Sequence, residues 1–148
     1  MTPTTPPATP APEQGDHIIS IELRILAWGC LLALIHIFAA AQVKTKQYGT
    51  KWNMGARDEE LPPPSPLVGR MERAQANFFE TFPIVAAAIL MIEATHRNSA
   101  WTTLGAMLWL GARVIHLPLY AAGIPVVRTV AFMVSMVGIV MLLWPLLR

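Results

Sequence analysis

At 148 residues the chain has room for one domain. Its 54% hydrophobic residues, 14% charged residues and mean hydropathy of +0.47 set it apart from soluble domains, in the direction of integral membrane proteins. The net charge of +2 and pI near 9.0 do not signal nucleic acid, because the eleven Lys and Arg residues are spread over loops and helix ends with no basic stripe interleaved with aromatics. The one cysteine, Cys30, excludes a disulfide framework or a Cys-pair metal or redox site, and within an apolar run it reads as a small buried hydrophobe.

Residues 1–17 (MTPTTPPATPAPEQGDH) hold five prolines and no apolar cluster, which predicts a disordered tail. They lack the basic start of a signal peptide, and the apolar stretch that follows is long enough to span, so an uncleaved first helix is expected over about 19–43. Within it His36 is expected to hydrogen-bond a neighbouring helix, since no second metal ligand lies nearby in the sequence. Residues 44–68 are polar and end in the proline cluster LPPPSP, as a solvent-exposed loop would. Further helices are predicted over 67–94, 100–120 and 125–147, with Pro125 suited to a first helical turn. Trp28, Trp101, Trp109 and Trp144 read as interface or packing residues, and Met133, Met136 and Met141 as packing or lipid-facing ones. The predicted fold is an all-α membrane protein, a bundle of four transmembrane helices.

Four spans put both termini on one side. The long loop and its flanks carry Lys44, Lys46, Lys51, Arg57, Arg70 and Arg73, against Arg24, Arg97 and Arg148 on the other face. The positive-inside rule therefore predicts a cytoplasmic loop and external termini, in a plasma or bacterial inner membrane.

The segment GRMERAQANFFETFPIVAAA, residues 69–88, organises the rest. Arg70, Arg73, Asn77 and Glu80 follow the spacing i, i+3, i+7, i+10 and share one polar stripe. The apolar run from Thr81 to Ile92 is too short to cross a bilayer alone, since crossing takes about 20 residues. Asn77 and Glu80 must then enter the membrane, where such groups mark function by default. Arg113, His116 and Tyr120 form a second stripe, and Arg128 and Thr129 start the last helix on the same side. Polar residues of three helices converge at one depth. Glu80 stands against Arg73, Arg113 and Arg128, with Arg70 nearby. This excess of cation is satisfied either by an internal ion network or by a bound anionic ligand.

The stretch from Arg70 to Pro83, with Asn77 and Glu80, resembles the signature of the membrane-associated proteins in eicosanoid and glutathione metabolism (MAPEG), and the GARDE segment at 55–59 resembles its bacterial branch. The resemblance covers about residue 21 to the C-terminus, including the Arg113, His116 and Tyr120 stripe. It implies a homotrimer that binds glutathione between neighbouring subunits near the cytoplasmic surface. By matching position, Asn77 and Glu80 would hold the tripeptide, Arg73 and Arg113 would buttress Glu80, His116 and Tyr120 would line the site, and Lys44 would meet a glutathione carboxylate. Arg128 and Thr129 would lie closest to the thiol. Eicosanoid-synthase members carry an arginine where this chain has Ala76 and a tyrosine where it has Phe132, so a prostaglandin or leukotriene synthase is not expected.

A free thiol has a pKa of about 8.5, and lowering it by about 2 units takes roughly 2.7 kcal/mol of preference for the thiolate. Arg128, Thr129 and the dipole of the helix they open are the candidates to supply it. The activity this implies is a glutathione transferase or peroxidase acting on lipophilic electrophiles or lipid hydroperoxides. The alternative is a non-catalytic lipid-binding or scaffold protein of the same family.

Overall fold

The computed structural model describes residues 19–148, so the tail predicted at 1–17 lies outside the described residues. The elements are α1 (Ile21–Tyr48), a single short helix α2 (Thr50–Met54), α3 (Pro66–Ala94), α4 (Ala100–Ala122) and α5 (Pro125–Leu143), followed by a 3₁₀ turn at Trp144–Leu146. The four long helices, the last counted through Leu146, are each long and apolar enough to cross a membrane, and the chain is an integral, multi-pass membrane protein.

Helix α1 outruns the predicted end at Val43 and continues through Lys44 to Tyr48, ending where Gly49 takes a positive φ of 90°. Apolarity stops at Val43, but Lys, Thr, Gln and Tyr sustain helical hydrogen bonds, so the helix leaves the apolar layer intact. The polar segment expected to be loop throughout therefore contributes the end of α1 and the short α2. Ser65 caps α3 by accepting from the Val68 N–H, with Pro66 in the first turn. The predicted fourth helix is divided, because Pro145 lies in the 3₁₀ turn that follows Leu143.

The buried face of α1 reads Glu22, Ile25, Gly29, Leu32, Ala33, His36 and Ala40, one helical stripe that includes both of its odd polar residues. Small residues let the helices approach. A Cβ on Gly29 would meet the Trp109 ring at 2.9 Å, and the Trp109 ring stacks on Phe82, which in turn stacks on Phe78. Helices α4 and α5 share the most extensive interface and cross at Gly105 and Gly138. With lipid as solvent there is little hydrophobic gain from joining helices, so contacts of this closeness carry the packing. Of Trp28, Trp101, Trp109 and Trp144, only Trp109 is fully buried, and the other three face outward. Cys30 corrects the expectation of burial, since it points away from the bundle on α1.

At the end opposite the α1–α3 connection, Glu22 is 2% exposed and its Oε1 accepts from Thr102 Oγ1 at 2.7 Å and Thr103 Oγ1 at 2.9 Å, both in the first turn of α4. Glu93 accepts from Ser20 and from Asn98, and Arg97 donates to the Pro145 carbonyl. Ser99 and Thr102 complete a capping box on α4. Replacing Glu22 by Ala should therefore lower stability by about 1–3 kcal/mol, because the Thr103 hydroxyl loses its acceptor and Thr102 keeps only the Ser99 carbonyl, whereas Glu22→Gln keeps an acceptor and should cost less. Thermal unfolding of the two variants in one detergent checks the order; an equal loss in both would show that the hydroxyl contacts carry no weight.

Candidate functional site

At the other end, three helices meet around a cavity of about 180 Å³ lined by Asn77 of α3, His116 and Tyr120 of α4, and Arg128, Thr129 and Phe132 of α5. Asn77 of the first stripe and His116 and Tyr120 of the second meet the start of α5 here, whereas Arg73 and Glu80 of the first stripe are exposed. Thr129 itself is exposed at the edge of the cavity.

Arg113 is the centre of the hydrogen bonding. It is 1% exposed, and its two terminal nitrogens donate to Asn77 Oδ1 and Thr81 Oγ1, each at 2.7 Å. Its guanidinium lies 5.3 Å from the Phe132 ring centroid. Its hydrogen-bond acceptors are therefore neutral, and Glu80, expected to be its partner, is exposed on α3. Arg73 is also exposed, with its guanidinium folded back over Gly69 and away from Glu80. Among the described residues no hydrogen bond or ion pair joins Glu80 to Arg73 or Arg113, and Arg113 follows the nearer Asn77 and Thr81.

Arg128 lies over the Tyr120 ring at 4.4 Å from its centroid, and His116 meets the same ring edge-on at 5.3 Å. The Thr129 hydroxyl donates to the Pro125 carbonyl one turn earlier at 2.9 Å, which leaves its oxygen lone pairs, not its proton, toward other partners. To donate to an anion it must first leave that carbonyl. Lys44 reaches Glu72 of α3 at 2.5 Å, in a pair that is more than one-third exposed. His36 departs from its expected hydrogen bond to a neighbouring helix. Its Nδ1–H goes to the Leu32 carbonyl of its own helix at 2.8 Å, and its ring stacks on Phe78 at 4.4 Å.

Two residues that matter here, Thr81 and Glu72, carried no weight in the sequence reading, and Arg70 has a contact that its stripe did not foretell. Thr81 accepts from Arg113, Glu72 holds Lys44, and Arg70, read there as a residue of topology, donates from Nε to the Ala121 carbonyl at 3.1 Å and so caps the end of α4 beside Gly123. The signal for Thr81 was its position four residues after Asn77, on the same face. If Lys44 takes a ligand carboxylate, Glu72 competes with that ligand, and Glu72→Gln should tighten the binding of a tripeptide anion several-fold. Titration calorimetry with glutathione measures this; weaker binding in the variant would assign Glu72 to holding the site together.

The cavity has room for several waters at about 30 Å³ each, but it falls below the roughly 300 Å³ at which small-molecule sites begin. Its polar surroundings run outward to Glu80 and Arg73, which stand exposed on α3. No curated protein and no solved structure matches the chain. The MAPEG family model does match, over residues 25–148. From the first buried isoleucine of α1 to the last residue, through every helix that contributes to the cavity, this chain belongs to the MAPEG family.

Proposed function

We propose that the protein is a homotrimeric glutathione-dependent enzyme, a transferase or peroxidase for lipophilic electrophiles or lipid hydroperoxides. The observation that carries this reading is the convergence of Asn77, His116, Tyr120, Arg128 and Thr129 on one cavity beside a buried arginine whose hydrogen-bond acceptors are neutral. A buried guanidinium with only neutral acceptors favours an anionic ligand, and a cavity too small for a tripeptide favours completion of the site by the exposed Glu80 and Arg73 beside a neighbouring subunit. The loop end, with its excess of Lys and Arg, is the cytoplasmic face, where glutathione is met.

In this reading Arg128 faces the thiol sulfur. Its charge favours the thiolate, and the S–H proton leaves through the open mouth of the cavity. The thiolate then forms a C–S bond with an electrophile as the leaving group departs. With a hydroperoxide it forms an S–O bond as the O–O bond breaks, the departing alkoxide takes a proton from solvent to leave as the alcohol, and a second glutathione then displaces the sulfenic hydroxyl as water to complete the disulfide.

The test is a titration of purified protein with glutathione at neutral pH, followed in the thiolate absorbance band, beside Arg128→Ala. A saturable signal that is lost in the variant is expected. A folded oligomer without any signal would favour the second reading, a lipid-binding or scaffold protein. That reading has its own support. Phe132 supplies a ring without a phenol at the cavity, and a wide apolar groove of about 460 Å³ runs along α5 from Val126 to Val137. It requires lipid binding to survive Arg128→Ala.

A further inference from the structure

Two buried polar atoms beside the cavity end without partners. Arg113 bonds through both terminal nitrogens, yet its Nε–H meets no acceptor; His36 donates from Nδ1 to the Leu32 carbonyl and so presents a bare lone pair at Nε2, which meets no donor. Each residue is 1% exposed. The other buried side-chain atoms without partners among the described residues, Trp52 Nε1 and Trp109 Nε1, are both donors, so His36 Nε2 is the only acceptor in that group.

The two atoms belong to helices in contact, α1 and α4. Helix α3 brings them to adjoining faces of one turn. Phe78 lies against His36, while Asn77 and Thr81, which flank Phe78 in the sequence, hold Arg113. In the apolar layer no bulk water meets a stray donor or acceptor, so both are costly as they stand. One ordered water between them would satisfy both, its oxygen accepting from Arg113 Nε–H and one of its hydrogens going to His36 Nε2.

We propose that His36 is a positioning residue for the cavity, holding the Arg113 guanidinium through one buried water so that Nη1 stays on Asn77. Its effect on ligand affinity rests on the glutathione reading above; the water bridge does not.

The bridge is tested by water-edited solid-state NMR on protein carrying ¹⁵N-histidine in bilayers, with the His36 resonances identified by their loss in His36→Gln. The expected result is transfer from water to His36 Nε2, at the shift of a lone pair that accepts a hydrogen bond, with the signature displaced toward a bare lone pair in Arg113→Lys, which lacks the Nε–H. A dry Nε2 at the bare position in the unaltered protein would overturn the proposal. Glutathione calorimetry tests the positioning role. His36→Leu should bind about tenfold more weakly, and His36→Gln, whose amide oxygen can take the water's hydrogen, should recover most of the loss. Equal affinity in His36→Leu and the unaltered protein would overturn that role. Absence of binding by the unaltered protein would count against the glutathione reading, and the NMR result decides the bridge in either event.

Discussion

Gly138→Val should destabilise the bundle by about 3 kcal/mol, the largest stability loss expected from a single substitution outside the cavity. A Cβ at this position would stand 2.6 Å from the Gly105 carbonyl oxygen and 2.8 Å from the Trp109 backbone nitrogen, and neither of these can swing away as a side-chain tip could. The helices must separate at the point where their interface is most extensive, and Trp109, which anchors the aromatic stack over Gly29, moves with α4. Gly111 is the control. It is exposed on the same helix with nothing within 4 Å of an added Cβ, so Gly111→Ala should be neutral or gain up to about 1 kcal/mol in helix propensity. Thermal unfolding in one detergent compares them, and similar losses in both would sink the account of the crossing.

Replacing Arg113 by Met should act in opposite directions on binding and on stability. The buried cation hydrogen-bonds only to neutral acceptors, and an apolar side chain of similar length removes a desolvation penalty of several kcal/mol for that ion. Asn77 is half-buried and can turn to the cavity, and Thr81 retains the Asn77 and Phe78 carbonyls as acceptors, so little is stranded. Unfolding temperature should hold or rise. Glutathione binding, if the cavity is its site, should fall by about 30-fold or more, since a hydrogen bond or charge contact of about 2 kcal/mol vanishes with Asn77's orientation. A variant that loses both stability and binding would make Arg113 a structural strut instead.

Much of the architecture could be read from residue spacing, because a run long enough to cross a bilayer is an unambiguous pattern. The span predicted at 67–94 differs from Pro66–Ala94 by one residue. What stayed hidden was polar helix: Lys44 to Tyr48 extend α1 with no hydrophobic signature, and nothing apolar marks Thr50–Met54. The stripes of Asn77, His116, Tyr120 and Arg128 were legible because residues three, four and seven apart must share a face whatever packs against them. Pairing was not. Whether Arg113 reaches Glu80 or Thr81 depends on helix rotation, and whether Arg73 leans forward to Glu80 or back over Gly69 depends on a rotamer, neither of which is a property of spacing. Nothing in the spacing of α1 marks Glu22 for burial, and the arrival of Thr102 and Thr103 from α4 explains it.

The two ends of the bundle are fastened differently. Side-chain bonds knit α1, α3 and α4 together around Glu22 and Glu93, and the crossing at Gly105 and Gly138 locks the second half of α5. The first half of α5 has no side-chain cap at Ile124, and Val126, Val127, Val130 and Met133 all face outward. Opening free energy should therefore be graded along this one helix, with amides near Arg128 and Thr129 exchanging for deuterium well before those beyond Ser135. The cavity then lies under a stretch of backbone that can lift on its own timescale while the rest of the bundle stays folded.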